Sequence, residues 1–385
     1  MAVPAFQLSF AGTAADLALK QDVVSLVAEE HSAKPATCRI ELAAEMRADG
    51  SWRYVGDDRF KPFTPVTVNI GFGNRLQTVF DGYVTGVELV LGSDPEDATL
   101  AVDAMDTAVL MSLDEKTKPW PGLSDAQIAA SILSTYCDRV TTDTTPAARP
   151  ENEHVPMQRG SDLRYVQHLA ERNGFEFSFE TDAVTGVRAY FRAPQLGGSP
   201  QPDLAVQMGD DSNLDRFTVA LDAQRPATVS VTQLDASDAK VRTTDAQSLK
   251  WKVLGAQQLG ALTSALGTMA MPGGGQRRML ALGSPTADAS RQTAFAQGVR
   301  NRAGWFVTAT GEVNAEAYGT VLRPRRPVLV RGAGKTFSGA YYVTRVTHEI
   351  AGAGSYAQKF EAVRNATNVA GSEKFGTKAG SLVSV

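Results

Sequence analysis

Cysteine is scarce, with two residues in 385. Cys38 and Cys137 lie far apart and match no metal-ligand spacing, so neither a disulfide framework nor a zinc site is indicated. Two reduced core thiols are expected instead, the usual state in a reducing compartment. Histidine numbers only four, with no His-x-x-x-His pair to suggest a metal-bearing helix. Neither charge sign dominates: 38 Lys and Arg against 42 Asp and Glu leave −4. That balance lacks the electrostatic footprint of a nucleic-acid binder and favours a protein surface as partner. No run approaches the ~20 continuous apolar residues of a membrane span. Met1 to Phe10 lacks the basic start and long apolar stretch of a signal peptide, so synthesis without a cleaved leader is expected.

What is present is one message stated twice. Lys61-Pro62-Phe63-Thr64-Pro65-Val66-Thr67-Val68 is answered by Arg323-Pro324-Arg325-Arg326-Pro327-Val328-Leu329-Val330. Each copy is a cation, a proline, two variable residues, a second proline and an alternating strand. Downstream, Phe80 to Glu88 is answered by Phe337 to Val346, and Val102-Asp103-Ala104-Met105-Asp106 by Phe360-Glu361-Ala362-Val363-Arg364. Three matched segments in one order argue for two copies of a β-unit in one chain. Two copies are too few for a solenoid. A duplicated unit places two similar surfaces in one subunit, which suits an assembly protein.

Periodicity divides the chain. Strands are expected at 3–12, 37–46, 64–70, 76–91 and 98–105, while 21–30 fits helix or strand. After Pro119-Trp120-Pro121-Gly122 the period changes. Ser124 or Asp125 can cap a helix reaching Tyr136, and a second helix runs from Ser161 to the Asn173-Gly174 stop, followed by the alternating strand Phe175 to Glu180 and its partner Val187 to Phe191. Strand patterns return over 216–235. Leu259 to Ala270 and Ala287 to Arg300 read as helices around a Met271 to Gln276 loop. The expected fold is mainly β, with two related small β-barrels and an inserted α/β domain. The first barrel is 1–112, the α/β insert 113–198, and the second barrel 199–237 with 301–366. Residues 238–300 form a helical and loop insertion, and 367–385 a flexible tail.

A search for chemistry finds no active site. Gly334-Lys335-Thr336 resembles the end of a phosphate loop, but Leu329 stands where the first glycine belongs. Asp211 to Asp215 has calcium-loop spacing, but Arg216 and Asp222 replace the required Gly and Glu. His154 near Glu151 and Glu153 is the most metal-like cluster, but it falls in a loop and reads as solvated. His168 is expected to face solvent and His348 to serve packing or an interface. The acidic pairs Glu29-Glu30, Asp57-Asp58 and Asp210-Asp211 read as solvated. No catalytic, metal or cofactor residue is therefore expected. The basic run Arg323 to Arg326 fits either a solvated turn or a contact with an acidic neighbouring subunit.

Tyr342-Val343-Thr344-Arg345-Val346-Thr347-His348, with Tyr356 and Phe360-Glu361-Ala362-Val363-Arg364, resembles the closing segment of the phage late control protein D family. Ser161 to Phe177, with its Leu169-Ala170-Glu171-Arg172 helix and turn before an aromatic strand, resembles that family's middle segment and its VgrG-type relatives. The resemblance spans roughly residues 1–366. It implies tail-tube-like barrels and a structural baseplate hub of a contractile phage tail or injection system. Three subunits would form a ring that adapts a six-fold inner tube to a three-fold spike. It implies as partners two further copies, a hexameric inner tube protein, a separate trimeric spike protein and other baseplate proteins, and assembly from the bacterial cytoplasm into the particle. The spike is expected to be separate because nothing after residue 366 could form a spike domain. The alternative is a cell-wall hydrolase or glycan-binding component of the same particle. Interface candidates are Lys61, Tyr83, Arg323, Arg325, Arg326, Tyr341 and Tyr342, the tyrosines fitting core or interface.

Overall fold

The computed structural model describes all residues except 1–3, 74, 95–96, 183–185, 235–237, 265–276, 285–287 and 377–385. The loop expected at Met271 to Gln276, part of the helix expected over Leu259 to Ala270, and residues 377–385 of the expected tail lie outside the described residues.

The chain opens with β1 (Pro4–Phe10), β2 (Thr13–Ala14), α1 (Leu17–Gln21), β3 (Val23–His31), β4 (Thr37–Ala43), β5 (Pro65–Phe72), β6 (Arg75–Val90) and β7 (Thr99–Asp106). Two-residue alternation makes these strands half-buried: Cys38, Ile40 and Leu42 of β4 and Val66, Val68 and Ile70 of β5 point into one core. The ambiguous segment 21–30 is strand, and a register shift between Val23 and Ser25 brings Val23, Leu26, Ala28 and Glu30 to the buried face.

Next come β8 (Glu115–Pro119), α2 (Asp125–Leu133), β9 (Arg139–Thr142), β10 (Met157–Ser161), α3 (Asp162–Asn173), β11 (Glu176–Asp182) and β12 (Gly186–Arg192). Ser124 and Gln127 form a reciprocal capping box on α2, and Gly174 ends α3 in the left-handed conformation at φ 69°. Ile128, Ile132, Val166 and Leu169 from the helices pack on Phe177 and Phe191 from the strands.

The rest comprises β13 (Gln201–Ala205), β14 (Leu214–Leu221), β15 (Thr228–Leu234), β16 (Val241–Ala246), α4 (Leu259–Ser264), β17 (Arg278–Leu282), α5 (Ala289–Ala303), β18 (Val307–Val313), α6 (Ala315–Tyr318), β19 (Pro327–Arg331), α7 (Gly334–Phe337), β20 (Gly339–Ala351) and β21 (Ser355–Arg364). Two expectations change here. Strand 228–234 leaves the second β-unit and pairs with β16 and β17 in a separate three-stranded sheet. The 238–300 segment is thus more than helix and loop: Val229, Val231 and Ala246 of that sheet pack under Ala296 and Ala303 of α5. Alternation marks a strand without saying which sheet it joins. Gly334 to Phe337 is a single helical turn, too short for a phosphate-binding loop and helix.

One 13-stranded sheet joins both halves. The first half runs β3-β4-β7-β6-β5-β1, and the second runs β14-β18-β21-β20-β19-β13, the same six-strand order. Only the last pair differs in sense, β1 being antiparallel to β5 and β13 parallel to β19. Even the irregularities repeat. Register shifts fall at Val23/Ser25 and at Leu214/Arg216, and again at Val84/Gly86 and at Val343/Arg345. In the second pair the bulged residue is a threonine both times, Thr85 and Thr344, donating to Asp103 O and Glu361 O at 3.2 Å.

The proline elbows match bond for bond. Phe63 and Arg325 both adopt φ 63°. Their N–H groups donate to Val84 O and Val343 O at 2.8 Å, and Val84 and Val343 donate back to Thr64 O and Arg326 O at 3.0 and 3.1 Å. Left-handed backbone at a non-glycine residue persists only where its surroundings fix it, as these paired bonds do.

Candidate assembly interface

The two β-units meet where β3 pairs antiparallel with the second half of β20, Arg345 opposite His31 through Ala351 opposite Ser25. The strand period turns Glu30 and His348 inward here, and both are buried. Arg323 Nη2 lies 3.0 Å from Glu30 Oε1, and Arg325 Nη2 lies 3.8 Å from the same atom. Arg325 Nε also donates to Glu180 Oε1 at 2.9 Å and its Nη1 to His31 O at 2.7 Å, tying in β11 of the insert. His348 Nε2 is 3.2 Å from Glu30 Oε2 and its Nδ1 2.8 Å from the Tyr356 hydroxyl.

The electrostatics fit a closed structural joint. Burial would raise the Glu30 carboxyl, but Arg323, the His348 hydrogen bond and Arg325 outweigh it and hold it below its ordinary value. Burial lowers His348, which is therefore neutral near pH 7; its Nε2–H donates to Glu30 and its Nδ1 accepts from Tyr356. Losing one member of such a buried set strands the others, at about 3–5 kcal/mol.

The sequence-derived candidates separate in this light. Arg323 and Arg325 meet acidic partners, but on their own chain, as Glu30 and Glu180 occupy them. Tyr341 and Tyr342 are core residues, 0% and 1% exposed, with no surface to offer another subunit. Tyr83, which occupies in the first unit the place of Tyr342 in the second, is half-buried. Arg326 is exposed, as is Lys61, which pairs with Asp58 at 2.7 Å. Sequence reasoning missed Glu30, read as a solvated acid, and Glu180. The available signal was a carboxylate at an inward position of an alternating strand.

Among the strand edges without a partner in the described residues are the outer edge of β14, and the second half of β6 on the side where β5 has ended. These are the counterparts of β3 and of the second half of β20.

Beside the joint is a cleft of about 690 Å³ between the insert, α5 and the large sheet, lined by His31, Arg164, His168, Glu176, Trp251 and Trp305. Burial, then the charges of Lys34, Arg345 and Arg325, push His31 down to about 4. Burial pushes Glu176 up to about 7 despite hydrogen bonds from Tyr342 and Ser32. His154, in a turn rather than on a helix, is lowered by burial and by Arg149, Arg291 and Arg172. No helix among the described residues is long and apolar enough to cross a membrane.

The family model described as Alg8 N-terminal domain matches residues 3–352. The chain belongs to that family. No curated protein matches by sequence. Among solved structures, the 43 kDa tail protein of prophage MuSo2 from Shewanella oneidensis is similar over 95% of this chain and 100% of its own, with TM-score 0.64 and 14% identity. A tail protein from Neisseria meningitidis MC58 covers 94% of this chain and 97% of its own, at TM-score 0.64 and 10% identity. The E. coli c3393 protein, a type VI secretion component described as structurally similar to the T4 tail proteins gp27 and gp5, covers 96% and 78%, at TM-score 0.55 and 16% identity. The chain of this family member therefore has a mainly β fold of the tail-protein kind.

Proposed function

We propose that the protein is a structural ring component of a phage tail or contractile injection baseplate, the hub where a six-fold tube meets a three-fold spike. The observation that carries this reading is the doubled six-strand unit: two copies of one surface per chain let three chains present six equivalent positions. The motif resemblance to late control protein D proteins and the likeness to tail-protein folds support it. In this reading the first unit (1–112) and the second (199–221 with 301–366) form the ring, the 113–198 insert is carried outside it, and Lys61, Tyr83 and Arg326 belong to its contact surfaces.

The test is mass in solution by light scattering after size exclusion, alone and with co-expressed tube and spike proteins. Three chains of 41.0 kDa, about 123 kDa, are expected. A 41.0 kDa monomer in every sample overturns the reading.

A further inference from the structure

The joint inside the chain is a template for one between chains. β14 and the second half of β6 are counterparts of β3 and the second half of β20, yet they do not pair with each other within one chain. The repeated register shifts fix the correspondence residue by residue. Val84 matches Val343, because each stands opposite an alanine, Ala104 or Ala362, just before the bulge. Ser25 matches Arg216, each following the bulge and lying opposite Glu41 or Glu312. Transferring the β3–β20 register then sets Val87 opposite Leu221, Leu89 opposite Val219 and Leu91 opposite Phe217.

We propose that β14 of one copy pairs antiparallel in this register with residues 86–91 of a second copy, adding a strand across the subunit boundary. The inference rests on the ring reading for the identity of its partner.

The side chains argue for it independently. In the joint inside the chain, the inward pairs are Val346 with Glu30, His348 with Ala28 and Ile350 with Leu26, all buried. Their counterparts are wholly apolar, and several are open to solvent in the single chain: Val87 48%, Leu91 52% and Leu221 38% exposed. The elbow follows the same exchange. Arg325 reaches Glu30 inside the chain; its counterpart Phe63, 45% exposed, would reach Leu221, the counterpart of Glu30. Glu30, His348 and Arg325 are thus answered by Leu221, Leu89 and Phe63, while Arg323 is answered by the cation Lys61, which is exposed and paired with Asp58. The strand positions that would face inward are apolar on both sides of the missing joint. Free strand edges with exposed apolar side chains favour pairing with another chain, where backbone hydrogen bonds supply affinity and alternate side chains supply register.

The experiment pairs cysteines in a Cys137→Ser background. Glu88 and Ala220 are exposed and stand opposite in the proposed register. Mixed Glu88→Cys and Ala220→Cys chains should give a two-chain band on a non-reducing gel. Glu88→Cys with Arg216→Cys, displaced by about 13 Å along the strand, should not. In parallel, Val87→Lys and Leu221→Lys, at positions solvated in the single chain, should convert the oligomer to monomer with unchanged circular dichroism. If the wild type is oligomeric, the lysine variants stay so and no 88–220 band forms, the proposed pairing is wrong and the ring closes through another surface. If the wild type is monomeric throughout and no band forms, pairing and ring fall together.

Discussion

Arg364 heads the side chains wholly withdrawn from solvent. Its Nε donates to Leu254 O at 2.6 Å, Nη1 to Ser338 O at 2.9 Å and Nη2 to Asn368 O at 2.7 Å. It fits only because position 339 is glycine, where a Cβ would stand 2.6 Å from Nη2. Arg364→Ala leaves three carbonyls without their donor, each costing about 1–3 kcal/mol, so a loss of at least ~3 kcal/mol is expected in denaturant titration. Glu176 makes a pH-dependent prediction. Its carboxyl titrates near 4.5 in the unfolded chain and at about 7 in the fold. The folded state therefore keeps a proton that the unfolded state releases, and this stabilisation is full below about 4.5 and lost as pH rises through 7. Gln does not titrate and can still accept from the Tyr342 hydroxyl, now 2.5 Å from Glu176 Oε2. Glu176→Gln should melt above the wild type at pH 8, with the gap closing at pH 5; an equal gap at both would refute the assignment.

Between elements, the close fit is glycine on glycine. Gly174, the left-handed cap of α3, backs onto Gly298 within α5, and a Cβ at Gly298 would stand 2.8 Å from Gly174 N. An alanine in mid-helix is worth about 1 kcal/mol of helix propensity. Overpacking against backbone costs about 1–3 kcal/mol. Gly298→Ala should therefore lower the melting temperature, and a rise would show that the helices can part cheaply. Neither glycine advertises this contact in sequence, since α5 is too polar to reveal which face packs. The local signals were legible where a residue acts on its own neighbourhood: Ser124 and Ser161 cap helices, Gly174 stops one, and the paired prolines mark both elbows. Glu30 was not legible, because its meaning depends on arginines that arrive near the end of the chain. The same holds for β15, whose alternation suits either sheet.

For the whole molecule, the duplication was visible in three short echoes, and the matching strand order and bulges extend it to six strands per unit. What the echoes could not convey is that the copies differ in character at their edge strands. One seam holds Glu30 between two arginines and a histidine; the corresponding free edges carry valine, leucine and phenylalanine. If the free edges pair as proposed, the two kinds of seam differ too much to be interchanged. A nascent chain that presented its β3 to the wrong half, β6, would set a carboxylate against Val87 with Lys61 and Phe63 where the arginines should be. A chain that presented β14 to its own β20 would leave Arg323 and Arg325 facing Leu221. In the proposed ring, each mistake would set the polar side of one seam against the apolar side of the other, so the divergence of the copies would act as keying that directs the hydrophilic seam to close within a chain and the apolar one between chains.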